Sequence, residues 1–294
     1  MRELCQLKRF GAILGGCLLL LSGCVIDQRE PLLADLGPTP LELEIPANLP
    51  PITFPAENPL TVEGVELGRK LFYEVRLSGD NTQSCGSCHA QAFGFSDNGK
   101  RFSEGIDGSI GNMNAMAIMN LAWAQEFFWD GRSVGMENQA REPVINPIEM
   151  HESWENAVAE LQATSEYPPL FKAAFGTDDI TEDLAVKAIA QFERTLISGN
   201  SEYDRFYRGE PNNFSQAAFR GMQIFFTGRG DCFHGHSVDL FSIYEYHNNG
   251  LDATFNADNI GRAAVTGRPS DTGKFKVPGL RNVEVSGPYM HDGR

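Results

Sequence analysis

The chain has few basic residues, few cysteines and only a short apolar run at its N-terminus. Its 24 lysines and arginines stand against 39 aspartates and glutamates, giving a formal net charge of −15 at pH 7. This acidity argues against a nucleic-acid partner, because binding to polyphosphate needs positive charge. It favours a basic surface on any protein partner. With 294 residues, 41% of them hydrophobic, the chain is expected to be globular and long enough for two domains.

The N-terminus has the pattern of an export signal. Three basic residues precede an apolar run from Phe10 to Leu21, which is short for a membrane span but typical of a secretory h-region. Leu21-Ser22-Gly23-Cys24 resembles a bacterial lipobox. We therefore expect residues 1–23 to be a lipoprotein signal peptide and Cys24 to be lipidated. The protein would then be anchored on the periplasmic side of a bacterial membrane. The alternative is an ordinary signal peptide that happens to contain Cys24.

Proline is concentrated directly after this leader. Eight of the 16 prolines lie between Pro31 and Pro59, in a stretch without helical periodicity. Such a composition favours an extended chain. Residues 24–59 are therefore interpreted as a proline-rich linker that holds the folded part away from the membrane.

Only three cysteines remain beyond the leader, at 85, 88 and 232, and this odd number argues against a disulfide framework. Two of them form Cys85-Gly86-Ser87-Cys88-His89. Cys-x-x-Cys-His is the attachment motif of c-type haem. One helical turn presents both thiols to the vinyl groups, and the histidine can ligate the iron. A redox dithiol or half of a zinc site are the alternatives, but the sequence has neither a thioredoxin-like pattern around the motif nor a second cysteine pair.

A second copy of this unit is visible downstream. Gly68 to Phe72 ends an amphipathic helix before the first motif, and Gly221 to Phe225 ends a similar one before Cys232-Phe233-His234-Gly235-His236. Gly235 stands where the second cysteine should be. Cys232 could still form one thioether and His236 could still ligate iron, because anchoring and ligation are separate tasks. The alternatives are that this unit binds no haem, or that His234 and His236 belong to a metal site.

The remaining pattern is mainly helical. Thr181 to Ser198 carries an apolar stripe after a capping threonine and ends before Gly199-Asn200. Glu155 to Leu161 and Ser215 to Phe226 have similar patterns. Residues 78–114 and 248–287 are rich in glycine and asparagine, which predicts long loops of the kind that wrap a cofactor. The expected fold class is mainly α.

From about Thr61 to Arg294 the chain resembles the di-haem cytochrome c peroxidase and MauG superfamily. Beyond the first haem motif, the resemblance depends on the order and spacing of several segments: Asn114-Ala115, Phe128 to Arg132, Glu137 to Ala140, Asn146 to Met150, Phe275 to Asn282, and Gly287 to Gly293. It implies two cytochrome c-like helical domains with long haem-wrapping loops. Residues 60–200 would hold the peroxide-reactive haem, and residues 201–294 would form the second domain, which ends early.

The resemblance also implies roles for individual residues. His89 would be the proximal ligand of the first haem, and Gln139 and Glu149 would line its open distal side, where a carboxylate can move a proton between the peroxide oxygens. Trp129 would lie between the haems and relay an electron or hole. Around an inter-haem calcium ion, whose ligands are hard oxygens, the matching positions are Asn114, Ser286 and Pro288. His291 matches a histidine near the second haem, although an exposed loop position is the simpler interpretation.

Two departures from the family pattern affect this interpretation. No histidine occurs from Ala90 to Met150, so the distal histidine of members that need reductive activation is missing. The first haem would then keep an open position, as in the MauG-like branch and the MbnH proteins, unless Met113, Met116 or Met119 supplies a ligand. The chain also stops at Arg294, before the family's sixth ligand of the second haem, which suggests a truncated, degenerate or incomplete sequence.

Three functions follow. The first is a haem-dependent enzyme that reduces hydrogen peroxide with electrons from a protein donor, either a cytochrome c or an oxidised residue of a partner protein. The second is a non-catalytic c-type electron carrier, in which both axial positions of each haem would be closed. The third is a lipoprotein whose degenerate second unit has become an interaction surface.

Overall fold

The structure is a computed structural model that describes residues 37–294. The signal peptide and Cys24 lie outside the described residues, and the domain boundary near residue 200 stays a prediction. The helices are α1 Val62–Phe72, α2 Cys85–Cys88, α3 Met136–Ile145, α4 Trp154–Gln162, α5 Tyr167–Phe175, α6 Glu182–Arg194, α7 Glu202–Tyr207, α8 Gln216–Phe225 and α9 Ala263–Thr266. No helix in this part of the chain has both the length and the apolar composition needed to cross a bilayer. The predicted mainly α fold is confirmed.

Helices α1 and α6 pack closely against each other. This packing depends on Gly68, because a Cβ atom there would lie 1.8 Å from the carbonyl oxygen of Ala188. The absence of a side chain lets the two helix backbones approach. Leu67 and Leu71 of α1 are buried in the same core as Ile189 of α6. Helices α3, α4 and α5 complete this core. The core forms one wall of the cavity that is described in the next section.

Helix α6 begins as predicted but ends earlier. The Thr181 side chain accepts a hydrogen bond from the Leu184 N–H, which caps the first turn. The last helical residue is Arg194 rather than Ser198. Asn120 explains the difference, because its side chain bonds both to the Ser198 N–H, at 2.7 Å, and to the Ser198 carbonyl, at 2.9 Å. A tertiary contact therefore replaces the last predicted turn of the helix.

Two small antiparallel sheets lie between the helices. Strand β1 Glu126–Phe127 pairs with β2 Ser133–Val134, and β3 Tyr246–His247 pairs with β4 Phe275–Lys276. The sheets are joined where the Lys276 N–H donates to the Trp129 carbonyl at 2.8 Å. This contact connects the two halves of the chain beside the tryptophan predicted to relay electrons.

The described part of the proline-rich segment packs onto the helices. It contains no helix, as predicted, but the Asn48 side chain donates to Asp204 at 2.6 Å, and Leu49 is buried. Asp204 also accepts two hydrogen bonds from the Arg281 guanidinium, each of 2.8 Å. A fully buried carboxylate is stabilised when it is paired in this way. Residues 37–59 thus belong to the folded unit, so the predicted spacer of residues 24–59 extended too far toward the C-terminus. A spacer role stays a prediction for residues 24–36.

Candidate functional site

A cavity of about 510 Å³ lies beside α2, α3 and α6. Its volume is within the usual range for cofactor pockets, about 300–1,000 Å³. The residues predicted for the first haem line it, namely Cys85, Cys88, His89, Gln139 and Glu149. Trp129, predicted to lie between the haems, and Asn114, predicted as a calcium ligand, also line it. Folding therefore brings together residues that are up to 64 positions apart in the chain.

The first haem motif forms the predicted single helical turn. The Ser84 N–H donates to the Ser87 hydroxyl at 3.0 Å at the start of this turn, and the His89 N–H donates to the Cys85 carbonyl at 3.0 Å. The His89 Nδ1 atom lies 3.0 Å from the carbonyl oxygen of Phe95, whose φ of 57° puts it in the left-handed region. This contact assigns the ring proton to Nδ1 and leaves Nε2 free to ligate iron. Burial lowers the pKa of His89, which favours the neutral form that a metal needs.

The two thiols are not those of a redox dithiol. Burial raises the pKa of Cys85 to about 12 and that of Cys88 to about 11. Disulfide-exchange cysteines need the opposite shift, because the thiolate is the reactive form. Both cysteines are free rather than disulfide-bonded. The alternative of a redox Cys-x-x-Cys is therefore disfavoured by the surroundings of the motif.

Glu149 lies on a tight turn after α3. Its backbone carbonyl accepts a hydrogen bond from the Ile106 N–H at 3.1 Å, and its carboxylate accepts one from the Asn146 side chain at 3.0 Å. Burial raises the pKa of Glu149, partly offset by the positive charge of Arg132. A carboxyl group with a raised pKa can take up and return a proton near neutral pH. Gln139 lines the same cavity from α3.

Trp129 forms part of the cavity wall and is 8% exposed. Its indole N–H donates to the Asn114 carbonyl at 2.8 Å, and its own carbonyl accepts from Lys276. The side chain is thus both core and cavity lining, and it lies where the two halves of the chain meet.

The predicted calcium residues come from two segments that touch. The Asn114 N–H donates to the His291 carbonyl at 2.8 Å, three positions after Pro288 and five after Ser286. The Asn114 side-chain amide donates to the carbonyls of Lys100 and Arg101. These bonds use the NH₂ group and leave the Oδ1 oxygen available as a ligand.

His291 is buried, so the simpler interpretation of an exposed loop histidine is wrong. It is 6% exposed, and its ring stacks on Phe275 with centroids 3.6 Å apart. Burial lowers the pKa of His291.

The second motif repeats the local geometry of the first. The His236 N–H donates to the Cys232 carbonyl at 2.9 Å, and His236 Nδ1 lies 3.0 Å from the Phe241 carbonyl. Phe241 also has a positive φ, of 53°. The second histidine is therefore oriented like His89, with Nε2 free. His236 and Cys232 do not line the 510 Å³ cavity.

Aromatic side chains surround this second motif. Their rings contact one another, mostly edge to face or tilted, in a continuous group: Tyr203, Phe206, Phe214, Phe219, Phe225, Phe226 and Phe241. Helix α8 contributes two of them, Phe219 and Phe225, yet none of its residues is buried. A Cβ atom at Gly235 would meet only Val277, at an ordinary contact distance of 3.6 Å. The fold would therefore accommodate the missing cysteine.

His89 is the only histidine lining the cavity among residues 37–294. Met113, Met116 and Met119 also line it, and the Met119 sulfur accepts a hydrogen bond from Asn282. The lining also contains ionisable residues to which the sequence assigned no role: Glu104, Asp130, Arg132, Glu193, Tyr244, Lys276 and Arg281. The signal for Glu193 was its position four residues after Ile189, which places a carboxyl group on the apolar stripe of α6.

Comparison with known proteins agrees with this geometry. The sequence model of one family, described as di-haem cytochrome c peroxidase, matches residues 62–212. The chain belongs to the di-haem cytochrome c peroxidase family. Among its relatives, the methylamine utilization protein MauG of Methylorubrum extorquens is 35% identical over 93% of this chain and 76% of its own length. The cytochrome c551 peroxidase of Nitrosomonas europaea is 36% identical over 84% of this chain and 74% of its own length.

A solved structure of a family member supports the fold. The crystal structure of a MauG-like protein associated with microbial copper homeostasis has a TM-score of 0.81 and 34% sequence identity, and covers 86% of this chain and 79% of that one. The protein is therefore a haem-dependent oxidoreductase of the peroxidase type, and its cofactors are c-type haems. A non-catalytic electron carrier is not favoured.

Proposed function

We propose that this di-haem peroxidase reduces hydrogen peroxide at the haem held by Cys85, Cys88 and His89, with electrons from a protein donor. One observation carries the proposal. A single cavity joins His89 to Glu149 and Gln139, and no second histidine lines it within the described residues. The iron would therefore keep an open position for peroxide, as expected for the MauG-like branch.

Bound haem would supply the iron that binds peroxide and the electrons that break its O–O bond. The chain supplies the proton movements. Glu149 would move a proton from one oxygen of peroxide to the other, so that the O–O bond can break with water as the leaving group. The Asn146 amide holds the Glu149 carboxylate in place. Gln139, which lines the same cavity, would donate a hydrogen bond to peroxide and orient it.

The direct test is addition of peroxide to the ferric holoprotein. We expect a change in the absorption spectrum and turnover of peroxide when a reduced donor is present. A ferric spectrum that is entirely low-spin and unchanged by peroxide would contradict the proposal, because it would mean that both axial positions are closed.

Trp129 would connect the two haems electronically. Its buried indole is fixed by the bond to Asn114, and an indole can be oxidised at lower cost than a phenylalanine ring. In Trp129→Phe we expect peroxide still to alter the spectrum of the first haem, while oxidation of the second haem slows. An unchanged rate of oxidation of the second haem in Trp129→Phe would exclude a relay role for Trp129.

The second haem would be held by Cys232 and His236 through one thioether. Three observations support this: the orientation of His236, the free cysteine and the unburied aromatic face of α8. The intact mass of the denatured protein counts attached haems directly. We expect two in the wild type and one in Cys232→Ser. One haem in both proteins would contradict covalent attachment at this site.

A calcium ion would lie between the Asn114 segment and the C-terminal loop. The Asn114 Oδ1 oxygen and the carbonyls of Ser286 and Pro288 provide the hard oxygen ligands that calcium prefers. Among the described residues there is no cluster of three acidic, histidine or cysteine side chains to hold a metal, so backbone oxygens would have to contribute. Elemental analysis should find calcium in the wild type and less of it in Asn114→Ala; equal calcium in both would exclude the site.

The donor would dock through charge. A chain with a net charge of −15 at pH 7 attracts a basic protein at low ionic strength. We expect the second-order rate with a basic cytochrome c to fall steeply as salt is added. If the donor is instead a partner protein that is oxidised on one of its own side chains, peptide mass spectrometry will detect the modified residue. Added cytochrome c will then not compete with this oxidation. Salt-independent rates would contradict a charge-guided donor.

Cys24 would anchor the protein to the membrane from the periplasmic side. The lipobox-like sequence before it supports this proposal. Labelling of cells with a fatty acid should modify the wild type and the control Cys17→Ala, but not Cys24→Ala. Labelling of Cys24→Ala would contradict the anchor.

A further inference from the structure

Glu193 is a buried carboxyl group to which the roles above assign no task. It lies near the end of α6, is 5% exposed and lines the same cavity as Cys85 and Glu149. Its Oε2 atom is buried without a hydrogen-bond partner among the described residues. A buried polar atom without a partner costs free energy. Its place in the cavity lining therefore points to a ligand or water inside the cavity as the missing partner.

The neighbouring charges do not neutralise Glu193. Arg194 follows it in the chain, but that guanidinium is paired with Glu137 of α3 at 2.8 Å. Burial raises the pKa of Glu193 to about 8; Arg194 lowers it and Glu137 raises it. Across the cavity, the Cys85 thiol is the ionisable group of α2 that feels the charge of Glu193. A carboxyl in these surroundings keeps its proton at neutral pH.

Peroxide reduction creates a need for such a group. One hydrogen peroxide molecule takes up two electrons and two protons to give two water molecules, as the O–O bond breaks and two O–H bonds form. Glu149 only transfers a proton that peroxide itself brought, and the Gln139 amide has none to give. Both net protons must come from elsewhere.

We propose that Glu193 is a second, proton-holding carboxylic acid of the haem cavity and delivers one of these protons. This inference rests on the proposed function. The Glu193 carboxyl donates a hydrogen bond to a water molecule in the cavity, releases its proton as an electron arrives from the protein donor, and is protonated again from solvent.

Infrared spectroscopy of the resting holoprotein tests the protonation state without any turnover. The wild type should show the C=O band of a protonated carboxylic acid at pH 7, which disappears as pH rises through about 8. Glu193→Gln should lack this C=O band. The matched control Glu155→Gln, which removes an exposed carboxyl group of α4, should keep it. Recording Glu149→Gln as well separates the band of Glu193 from any band of Glu149.

Kinetics then test the proton delivery. We expect Glu193→Gln to lower peroxide turnover by about tenfold or more at pH 7, because a positioned proton donor contributes about 10²-fold or more. Wild-type turnover should decline above pH 8, whereas the decline should be absent in Glu193→Gln. Glu193→Asp, which keeps a titrating group, should restore part of the pH dependence. Circular dichroism and thermal unfolding show whether each variant is folded.

Different results would overturn the role of Glu193 and the proposed function. A carboxylic acid band that persists in Glu193→Gln, or a pH profile identical to that of the wild type, would overturn the role of Glu193. A wild type that does not react with peroxide at all would instead overturn the proposed function. The infrared titration would still report the protonation state of Glu193.

Discussion

The two haem motifs have the same local geometry but different surroundings. His89 and His236 each point Nδ1 at the carbonyl of a phenylalanine in the left-handed conformation. The first motif faces an enclosed cavity and carries two cysteines, whereas the second carries one cysteine and lies beside an aromatic face that is not buried. A short motif therefore sets the direction of the histidine ring, while elements distant in the chain decide whether a cavity lies in front of it.

The largest expected difference between the units concerns their histidines. In His89→Gly we expect peroxide turnover to be lost to background, because the iron of the first site loses its proximal ligand. In His236→Gly peroxide should still change the spectrum of the first haem, while electron delivery fails. Stopped-flow spectroscopy measures both. If both variants lost the peroxide-induced spectral change equally, the assignment of different roles to His89 and His236 would be wrong.

Glu149 has no counterpart proposed at the second motif, so its removal should affect peroxide chemistry alone. We expect Glu149→Gln to slow the reaction with peroxide by about 10²–10⁴-fold, with Glu155→Gln as an unaffected control. As a base, Glu149 must be ionised. Burial raises the pKa of Glu149 above 4.5. As the pH is lowered, the wild-type rate should therefore start to fall at a higher pH than the pKa of an exposed glutamate. A pH–rate profile unchanged in Glu149→Gln would disprove the role.

Gly68 and Gly221 occupy matching positions in the two units but differ in packing. A Cβ atom at position 68 would overlap the Ala188 carbonyl, whereas nothing lies within 4 Å of one at position 221. We expect Gly68→Ala to lower the free energy of unfolding by about 1–3 kcal/mol or more. Gly221→Ala should raise it by up to about 1 kcal/mol, because alanine favours helix. Denaturant titration measures both changes in the free energy of unfolding. Equal destabilisation by the two substitutions would show that α8 packs as closely as α1.

The smallest expected effect is that of restoring the second cysteine. In Gly235→Cys the haem count by intact mass should stay the same, because the haem of that unit is already held by Cys232. The haemochrome spectrum in pyridine should shift, since one more vinyl group has reacted. A gain of one haem in Gly235→Cys would instead show that one cysteine is insufficient for attachment in the wild type.

Part of the site could be predicted because its residues lie in compact motifs. Cys85, Cys88 and His89 fall within one helical turn, so their mutual geometry follows from helix periodicity. The Thr181 cap and the helices near 155 and 215 also follow from local pattern and were confirmed. Gln139, Glu149 and Trp129 were found through family resemblance, because no local rule brings such distant residues together.

Other features depend on contacts that no short stretch of sequence contains. Helix α6 ends at Arg194 because Asn120 takes the Ser198 backbone groups. His291 is buried because Phe275 stacks on it. Glu193 faces a cavity because α6 packs against α1 across Gly68.

The sequence by itself determined the mainly helical fold class, the haem attachment motif and the acidity from which a basic partner is proposed, since these follow from composition and from spacing within a turn. Tertiary structure alone decided which carboxyl groups lie in the haem cavity and which of them hold protons. The physical reason is that desolvation sets the pKa of Glu149 and Glu193, and desolvation depends on elements far apart in the chain that exclude water together.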